Sequence, residues 1–494
     1  MSERLALSKL TGLPRTVACP GYDPAAHGAG IVHIGVGAFH RAHQAVYTDS
    51  ALARKGGDWR IDGISLRSTD IADALNPQDG LYTLIIRGEE GMSARVVGSI
   101  RRVIAAAREP DAALAALAAP ETRIASMTVT EKAYGIDRAR GAVDTGHPAI
   151  AADLANPRAP AGVIGMLVEG LRLRRERGLA PYTVLCCDNL PDNGSLVRAG
   201  VLNFARRVDP ALAGWIENNV AFPATMVDRI TPAATEATLA EAERLTGFAD
   251  LAAIETEPFT QWVIEDHFTA GRPAWEADGA IFVEDVAPYE AMKLRMLNGT
   301  HSMLAYAGFL SAHKYVRDVM ADAALARLVR RYMQAAAATL SPLPGIDFTD
   351  YANALAKRFA NPAIAHETYQ IAMDGTEKLP QRILGAASHA LENGQDIRPF
   401  AFAVAAWMRY ALGRTDDGAP YTLRDPREEV IRGALAGAND AGDIARALFA
   451  LPGVFPERLT GDERWTSLVT EILATMLHKG MAGAVKEEAG RQSR

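Results

Sequence analysis

Through the first half of the chain, short β-rich runs alternate with apolar runs of helical period. Ile31 to Ile34 reads as a strand that leads into Gly35-Val-Gly37, with a helix from about His40 to Arg54. Ile61 to Leu66, Arg123 to Thr130 and Tyr182 to Cys187 read as further strands, the last preceded by a helix from Ile164 to Arg177. Strand and helix in alternation predict parallel βαβ units and a doubly wound sheet. After about Pro288 the pattern turns helical. Gly375 follows one helix, Pro380 falls where the first turn of the next is expected, and Asn393-Gly394 marks its end. Arg398-Pro399 opens an apolar helix through Trp407 and Tyr410, and the last strong helix, Trp465 to Lys479, is expected to stop at Gly480 in a left-handed cap. The expected architecture is α/β: an N-terminal Rossmann-type doubly wound domain over residues 1–285 and a mainly α-helical C-terminal domain over residues 286–494.

Length and composition sharpen this picture only a little. A chain of 494 residues is too long for one core, so two domains are expected. It carries 49% hydrophobic and 22% charged residues, an ordinary globular balance. A net charge of −7 without a Lys/Arg run argues against nucleic acid or an anionic membrane as partner. Cys19, Cys186 and Cys187 provide neither a disulfide framework nor zinc spacing. With no apolar leader segment and no membrane-spanning run, a soluble cytoplasmic enzyme is expected.

Candidate chemistry gathers in Lys293-Leu-Arg-Met-Leu-Asn298-Gly-Thr-His301. A desolvated lysine serves as a proton-transfer base. Asparagine donates hydrogen bonds to a developing alkoxide, and histidine meets a second hydroxyl. At about 100° per residue, Glu290, Lys293, Asn298 and His301 fit one half of a helix, whereas Arg295, at about 200°, points away. This helix would open the second domain at a cleft between domains, where pockets are favoured. Gly35-Val-Gly37-Ala-Phe-His40 has the strand-to-helix context of a dinucleotide turn, with His40 in place of the third glycine. Beyond the second strand, Asp70 would bond a ribose diol and favour NAD, whereas Arg67 would accept a 2′-phosphate and favour NADP. Asn189 or Asp188, after a central strand, is placed where ligands meet such sheets, although an Asx turn has the same composition. Asp228-Arg229 is a further candidate, with a structural ion pair as its plain alternative. His33, His40 and His43 have no Cys or carboxylate to complete a site, so no metal is expected.

Together these segments resemble the long-chain mannitol dehydrogenase family. The resemblance rests on residues 35–44, Cys187-Asp-Asn-Leu-Pro191, Met226-Val-Asp-Arg-Ile-Thr-Pro232, Glu257 to Asp266, Gly271 to Glu276, and the Lys293, Asn298, His301 spacing. It covers nearly the whole chain. It implies metal-independent, NAD(P)-dependent oxidation of a secondary alcohol in a polyol or sugar acid. Carried onto matching positions, Lys293 becomes the general acid–base, Asn189 and Asn298 the oxyanion hole, and His301 a substrate-positioning group. Glu290 gates proton exchange with water, while Asp228 and Lys378 line the site. Gly35, Gly37, Phe39, His40 and Asp70 become the nucleotide contacts.

Within the family, Thr128 to Lys132 and Tyr369-Gln370 through Lys378 to Arg382 look more like the fructuronate reductases (D-mannonate oxidoreductases) than the mannitol 2-dehydrogenases. A sugar-acid substrate needs a cation for its carboxylate, and Lys132 or Arg382 is the candidate, each with a surface charge as its plain alternative. The expected activity is therefore NAD-dependent interconversion of D-fructuronate and D-mannonate, with NADP left open. The alternative is a polyol dehydrogenase acting on fructose/mannitol, arabinitol or sorbitol, and a remote one is a non-catalytic nucleotide-binding protein. A monomer or small homo-oligomer is expected.

Overall fold

A computed structural model of the chain describes residues 2–88, 91–138 and 140–491. It divides into two units, Met1–Ala287 and Pro288–Arg494. In the first, five parallel strands form the central sheet: β1 (Ala29–Ile34), β2 (Arg60–Ser65), β3 (Ile100–Ala105), β4 (Ile124–Met127) and β5 (Thr183–Cys186). Their order is β5-β4-β1-β2-β3. The chain runs outward from β1 to β3 and then returns to β4 on the other side of β1. That reversal is the switch point at which doubly wound sheets bind ligands, beyond the carboxyl ends of the strands. The strands are short, continuous apolar runs because both faces are covered. One face packs Val32, Ile34, Ala125 and Val184 against the helix Val163–Glu176 and the helix Asn193–Val208. The other buries Ile31, Ile61, Val103 and Leu185 with Tyr47, Trp262 and Trp275.

The strands expected from residue pattern are all present, with ends shifted by a residue or more. The helix expected over His40 to Arg54 is two helices, α1 (Ala38–Ala42) and α2 (Gln44–Lys55). His43 separates them at φ −124°, ψ −89°, outside the helical region. The first unit also holds pairings that alternation did not suggest. Tyr82–Gly88 and Gly91–Val97 form an antiparallel pair in a mixed sheet, and Thr225–Asp228 pairs antiparallel with Gln261–Glu265.

The second unit is helical, and extended pairing among its described residues is confined to isolated bridges such as Tyr315 with Glu367. Its core includes Trp407 on the helix Arg398–Ala411 and Trp465 on the helix Glu463–Gly490. Two expectations are corrected here. The helix from Glu463 stops at Gly480 as expected, and a second begins beyond it with the Met481 N–H donating to Asp416 Oδ2 at 2.6 Å, but at φ 69°, ψ 169° Gly480 does not form a left-handed cap. Pro380 does not begin a helix either. It follows Gly375–Leu379 directly and opens a π-helical turn, Pro380–Leu384, that runs on into Gly385–Glu392. A wide turn accommodates the missing N–H that would break an α-helical ladder. No helix among the described residues is long and apolar enough to cross a membrane.

Candidate functional site

At the switch point of the first unit lies a cavity of about 690 Å³, lined by Gly35, Gly37, Arg67, Asp70, Thr128 and Lys132 among others. Gly35 sits at φ +97°, and a Cβ there would meet the Thr128 carbonyl at 2.1 Å. Only glycine allows β1 to turn against β4 at this point. Gly37 is different. Its φ is −76°, and a Cβ on it would meet nothing closer than 4.0 Å. The open space over Gly37 is what a ligand backing onto the turn requires. Asp70 is the first residue of the helix Asp70–Leu75, with its N–H taken by Ser68 Oγ at 3.1 Å, so its carboxylate is left on the cavity wall. Arg67 is exposed on the same wall.

His40 and Phe39 do not line this cavity. His40 is fully buried and its ring stacks on His33 at 3.4 Å, locking α1 onto β1. Phe39 stacks on His43 at 5.0 Å. Burial pushes the imidazoles of His33 and His40 down, so both are neutral. Among the described residues, no group of His, Cys, Asp and Glu has the geometry to hold a metal ion.

Next to the cavity, beyond β5, the half-buried Asp188 accepts from the Val129 N–H at 2.9 Å, the Thr130 N–H at 3.2 Å and the Tyr134 hydroxyl at 2.6 Å. Burial pushes its carboxyl upward, against the pull of those donors. The following residue, Asn189, is exposed. Asp228 closes the strand Thr225–Asp228 and is 6% exposed. Its neighbour Arg229 gives its donors to the carbonyls of Ala42 (2.6 Å) and Glu257 (3.0 Å), so it holds loops in place.

In the second unit, Lys293–Asn298 is a π-helical turn between the helix Ala287–Met292 and the helix Gly299–Leu310. A turn closed by i→i+5 bonds is wider than an α-turn, so Asn298 swings toward the Lys293 face. The expectation that the two share one half of the helix is kept, and the wider turn narrows the angle between them. Lys293 is 6% exposed, Asn298 7% and His301 9%, so the lysine does not snorkel to the surface. Asn298 Nδ2 and His301 Nε2 are buried polar atoms with no hydrogen-bond partner among the described residues. Glu290, one turn earlier, is half-buried. Arg295 turns away as expected and donates to the Thr339 carbonyl at 2.6 Å.

Around His301 the unit gathers cations. Burial and the nearby His366, Arg358 and Arg382 push the His301 imidazole well down, so it is neutral. Its ring lies 4.4 Å from that of Phe359 and 5.4 Å from that of His366. Arg382, on the second π-turn, is drawn down chiefly by burial, and its hydrogen bonding among the described residues is one long contact of 3.5 Å to Ser302 Oγ. Lys378 is more fully engaged. It donates to the carbonyls of Met373 (2.5 Å) and Ile371 (3.3 Å) and lies 3.6 Å from Asp374. Lys132 lies in the first unit, on the wall of the switch-point cavity. Arg358, His366, Ser302 and the buried Tyr306 were missed from sequence. Each sits in an unremarkable helical or loop context that carries no spacing signal.

A sequence model of the mannitol dehydrogenase Rossmann domain matches residues 29–277, and one of the mannitol dehydrogenase C-terminal domain matches residues 285–476. The chain belongs to the mannitol dehydrogenase family. It is 46% identical to the uncharacterized oxidoreductase YeiQ of Escherichia coli (strain K12), over 93% of this chain and 94% of that one. It is 43% identical to the D-mannonate oxidoreductase of the same organism, over 94% and 96%. Among solved structures, the mannitol 2-dehydrogenase of Pseudomonas fluorescens in ternary complex with NAD and D-mannitol superposes with a TM-score of 0.85 at 38% identity, covering 99% of this chain and 100% of that one. This chain is therefore an oxidoreductase of a polyol and sugar-acid dehydrogenase family.

Proposed function

We propose that the chain is an NAD-linked oxidoreductase that interconverts D-fructuronate and D-mannonate. The observation that carries the sugar-acid reading is Arg382. A largely buried guanidinium has five donors, and leaving them without acceptors is costly. Here it meets Ser302 at 3.5 Å, with Lys378 and the carboxylate of Asp374 in electrostatic reach, and with Arg358 it faces the neutral His301. A substrate carboxylate supplies the missing acceptors in the bidentate geometry that arginine favours.

Gly37, with open space over it, and Asp70 on the cavity wall suit a dinucleotide with an unmodified ribose diol. When bound, that group accepts hydride from the carbinol carbon, or returns it. The chain's own residues manage the proton. In oxidation, neutral Lys293 Nζ takes the proton of the reacting hydroxyl; in reduction it gives that proton back. Amide N–H groups of Asn189 and Asn298 hold the alkoxide, and His301 Nε2 orients a neighbouring hydroxyl. Glu290 would pass the proton between Lys293 and water.

Steady-state reduction of D-fructuronate and of fructose with NADH tests the reading. Fructuronate is expected to give the higher kcat/KM. Arg382→Leu should lower that value by roughly 10²-fold, the scale of losing a desolvated charge pair, while changing fructose turnover far less. Equal or better use of fructose by the wild type would overturn it. A mannitol 2-dehydrogenase is the second reading, supported by the extent of similarity to the Pseudomonas fluorescens enzyme.

A further inference from the structure

Thr130 holds a backbone conformation that a β-branched residue rarely adopts, φ +74° with ψ 151°. That region is essentially reserved for glycine, and non-glycine residues persist there only where their surroundings over-determine them. The determinant here is Asp188. Its two carboxylate oxygens accept the consecutive N–H groups of Val129 and Thr130 at 2.9 and 3.2 Å, and Tyr134 donates to the same carboxylate at 2.6 Å. Val129 and Thr130 are wall residues of the nucleotide-side cavity. Val129 packs 3.1 Å from where a Cβ on Gly35 would stand, and Thr128 Oγ1 donates to the Gly35 carbonyl at 2.9 Å. The strained segment is therefore pressed against the glycine turn.

Asp188 is also fixed through its backbone. Its carbonyl accepts the Leu190 N–H at 2.9 Å and Asn193 Nδ2 at 3.0 Å, which pins the chain on both sides of Asn189. Asn193 is fully buried and exchanges two bonds of 2.9 Å with the backbone of Thr225, at the start of the strand that ends in Asp228.

We infer that Asp188 is a positioning residue: its carboxylate holds the Val129–Thr130 wall in its strained shape and, through its own backbone, sets Asn189 in fixed register with that wall. The inference rests on the nicotinamide-dinucleotide reading above. A capping carboxylate with a merely structural role would affect stability alone. A positioning role couples cofactor affinity and turnover to the same side chain, because the wall meets the cofactor and Asn189 meets the reacting oxygen.

The test measures NADH affinity by fluorescence titration, with kcat, KM and thermal stability, for the wild-type protein, Asp188→Asn and Thr130→Gly. An asparagine in place of Asp188 presents one acceptor to two N–H groups. It should raise the NADH dissociation constant by roughly tenfold and lower kcat at saturating NADH as well, on the scale of releasing one strained residue. Thr130→Gly relieves the strain, so its melting temperature should hold or rise while NADH affinity falls. That opposition of stability and affinity is the signature of strain kept for positioning, and it remains measurable if Asp188→Asn fails to fold. Wild-type NADH affinity and kcat in Thr130→Gly, or in a folded Asp188→Asn, would overturn the inference. A wild-type protein that does not bind NADH would overturn the cofactor reading first, and this inference with it.

Discussion

Lys293 owes its proposed role to its position: at 6% exposure its amine is held inside the unit, on the same turn as Asn298. Lys293→Ala is expected to lower kcat by ~10²–10⁴-fold, the range for loss of a general acid–base. Near-normal turnover of the alanine variant would remove Lys293 from the mechanism. At this scale, the grouping of Lys293, Asn298 and His301 on adjoining helical turns was readable from sequence, because their spacing is local. Burial was not readable. Arg382 and Lys132 looked alike as candidate carboxylate partners, yet one is drawn into the His301 cluster and the other lines the switch-point cavity. The φ of Thr130 was equally hidden, since it comes from a carboxylate 58 residues further along the chain. Residue type tells what a group can do; only tertiary contacts tell what it faces.

Elements were legible where their period was regular. Four of the five strands of the central sheet stood out as short apolar runs between turn residues; Ile100–Ala105, interrupted by Arg101 and Arg102, did not, and the glycine turn after β1 stood in its expected context. The π-turns were not legible, because an apolar pattern read at the α-helical period has no place for one wide turn. Gly299, just after the first π-turn, shows what those turns accomplish. A Cβ there would meet the Arg382 carbonyl on the second π-turn at 2.7 Å and Tyr332 Oη at 2.4 Å. The two turns thus touch backbone to backbone, and Gly299→Ala should push them apart. Its expected cost is about 1–3 kcal/mol in urea unfolding, with a fall in kcat; unchanged stability would show that the helices yield freely. A second element-scale prediction concerns the join between β1 and α1. Burial holds the His33 imidazole at about 3, against an ordinary value of 6.5, and His40 is also pushed down. As pH falls below about 6.5, the unfolded chain takes up protons that the folded one refuses. Stability complete above that pH is therefore lost progressively as pH falls toward the folded value, by up to about 1.4 kcal/mol per pH unit for each histidine. Denaturant unfolding at pH 7.5 and 5.5 measures this loss, and His33→Asn should flatten the dependence. An equal slope in the variant would place the acid sensitivity elsewhere.

For the molecule as a whole, alternating strands and helices followed by helices alone made the two-part organisation readable, and motifs spread along the chain made the family readable. The accessory pairings, Tyr82–Gly88 with Gly91–Val97 and Thr225–Asp228 with Gln261–Glu265, were not, because an alternation of strands and helices announces parallel units and says nothing of antiparallel additions to them. The two units hold different chemistry. The glycine turn, the Asp70 wall and the 690 Å³ cavity lie in the first; Lys293, Asn298, His301 and Arg382 lie in the second. If the division is functional, cofactor affinity and proton transfer should separate by mutation. Gly37 has an ordinary φ of −76° and open space where its Cβ would stand, so Gly37→Val should fold with a near-normal melting temperature. Its side chain would fill the approach to the turn, and NADH affinity should fall by more than roughly tenfold, since each factor of ten is only about 1.4 kcal/mol of lost contact. Lys293→Ala removes nothing from that cavity. It should bind NADH within about twofold of wild type, a difference of under 1 kcal/mol, while losing turnover. Fluorescence titration of the two variants side by side decides the matter. Equal loss of NADH affinity in both would mean that the lysine turn contributes to cofactor binding, and the division of labour between the units would have to be abandoned.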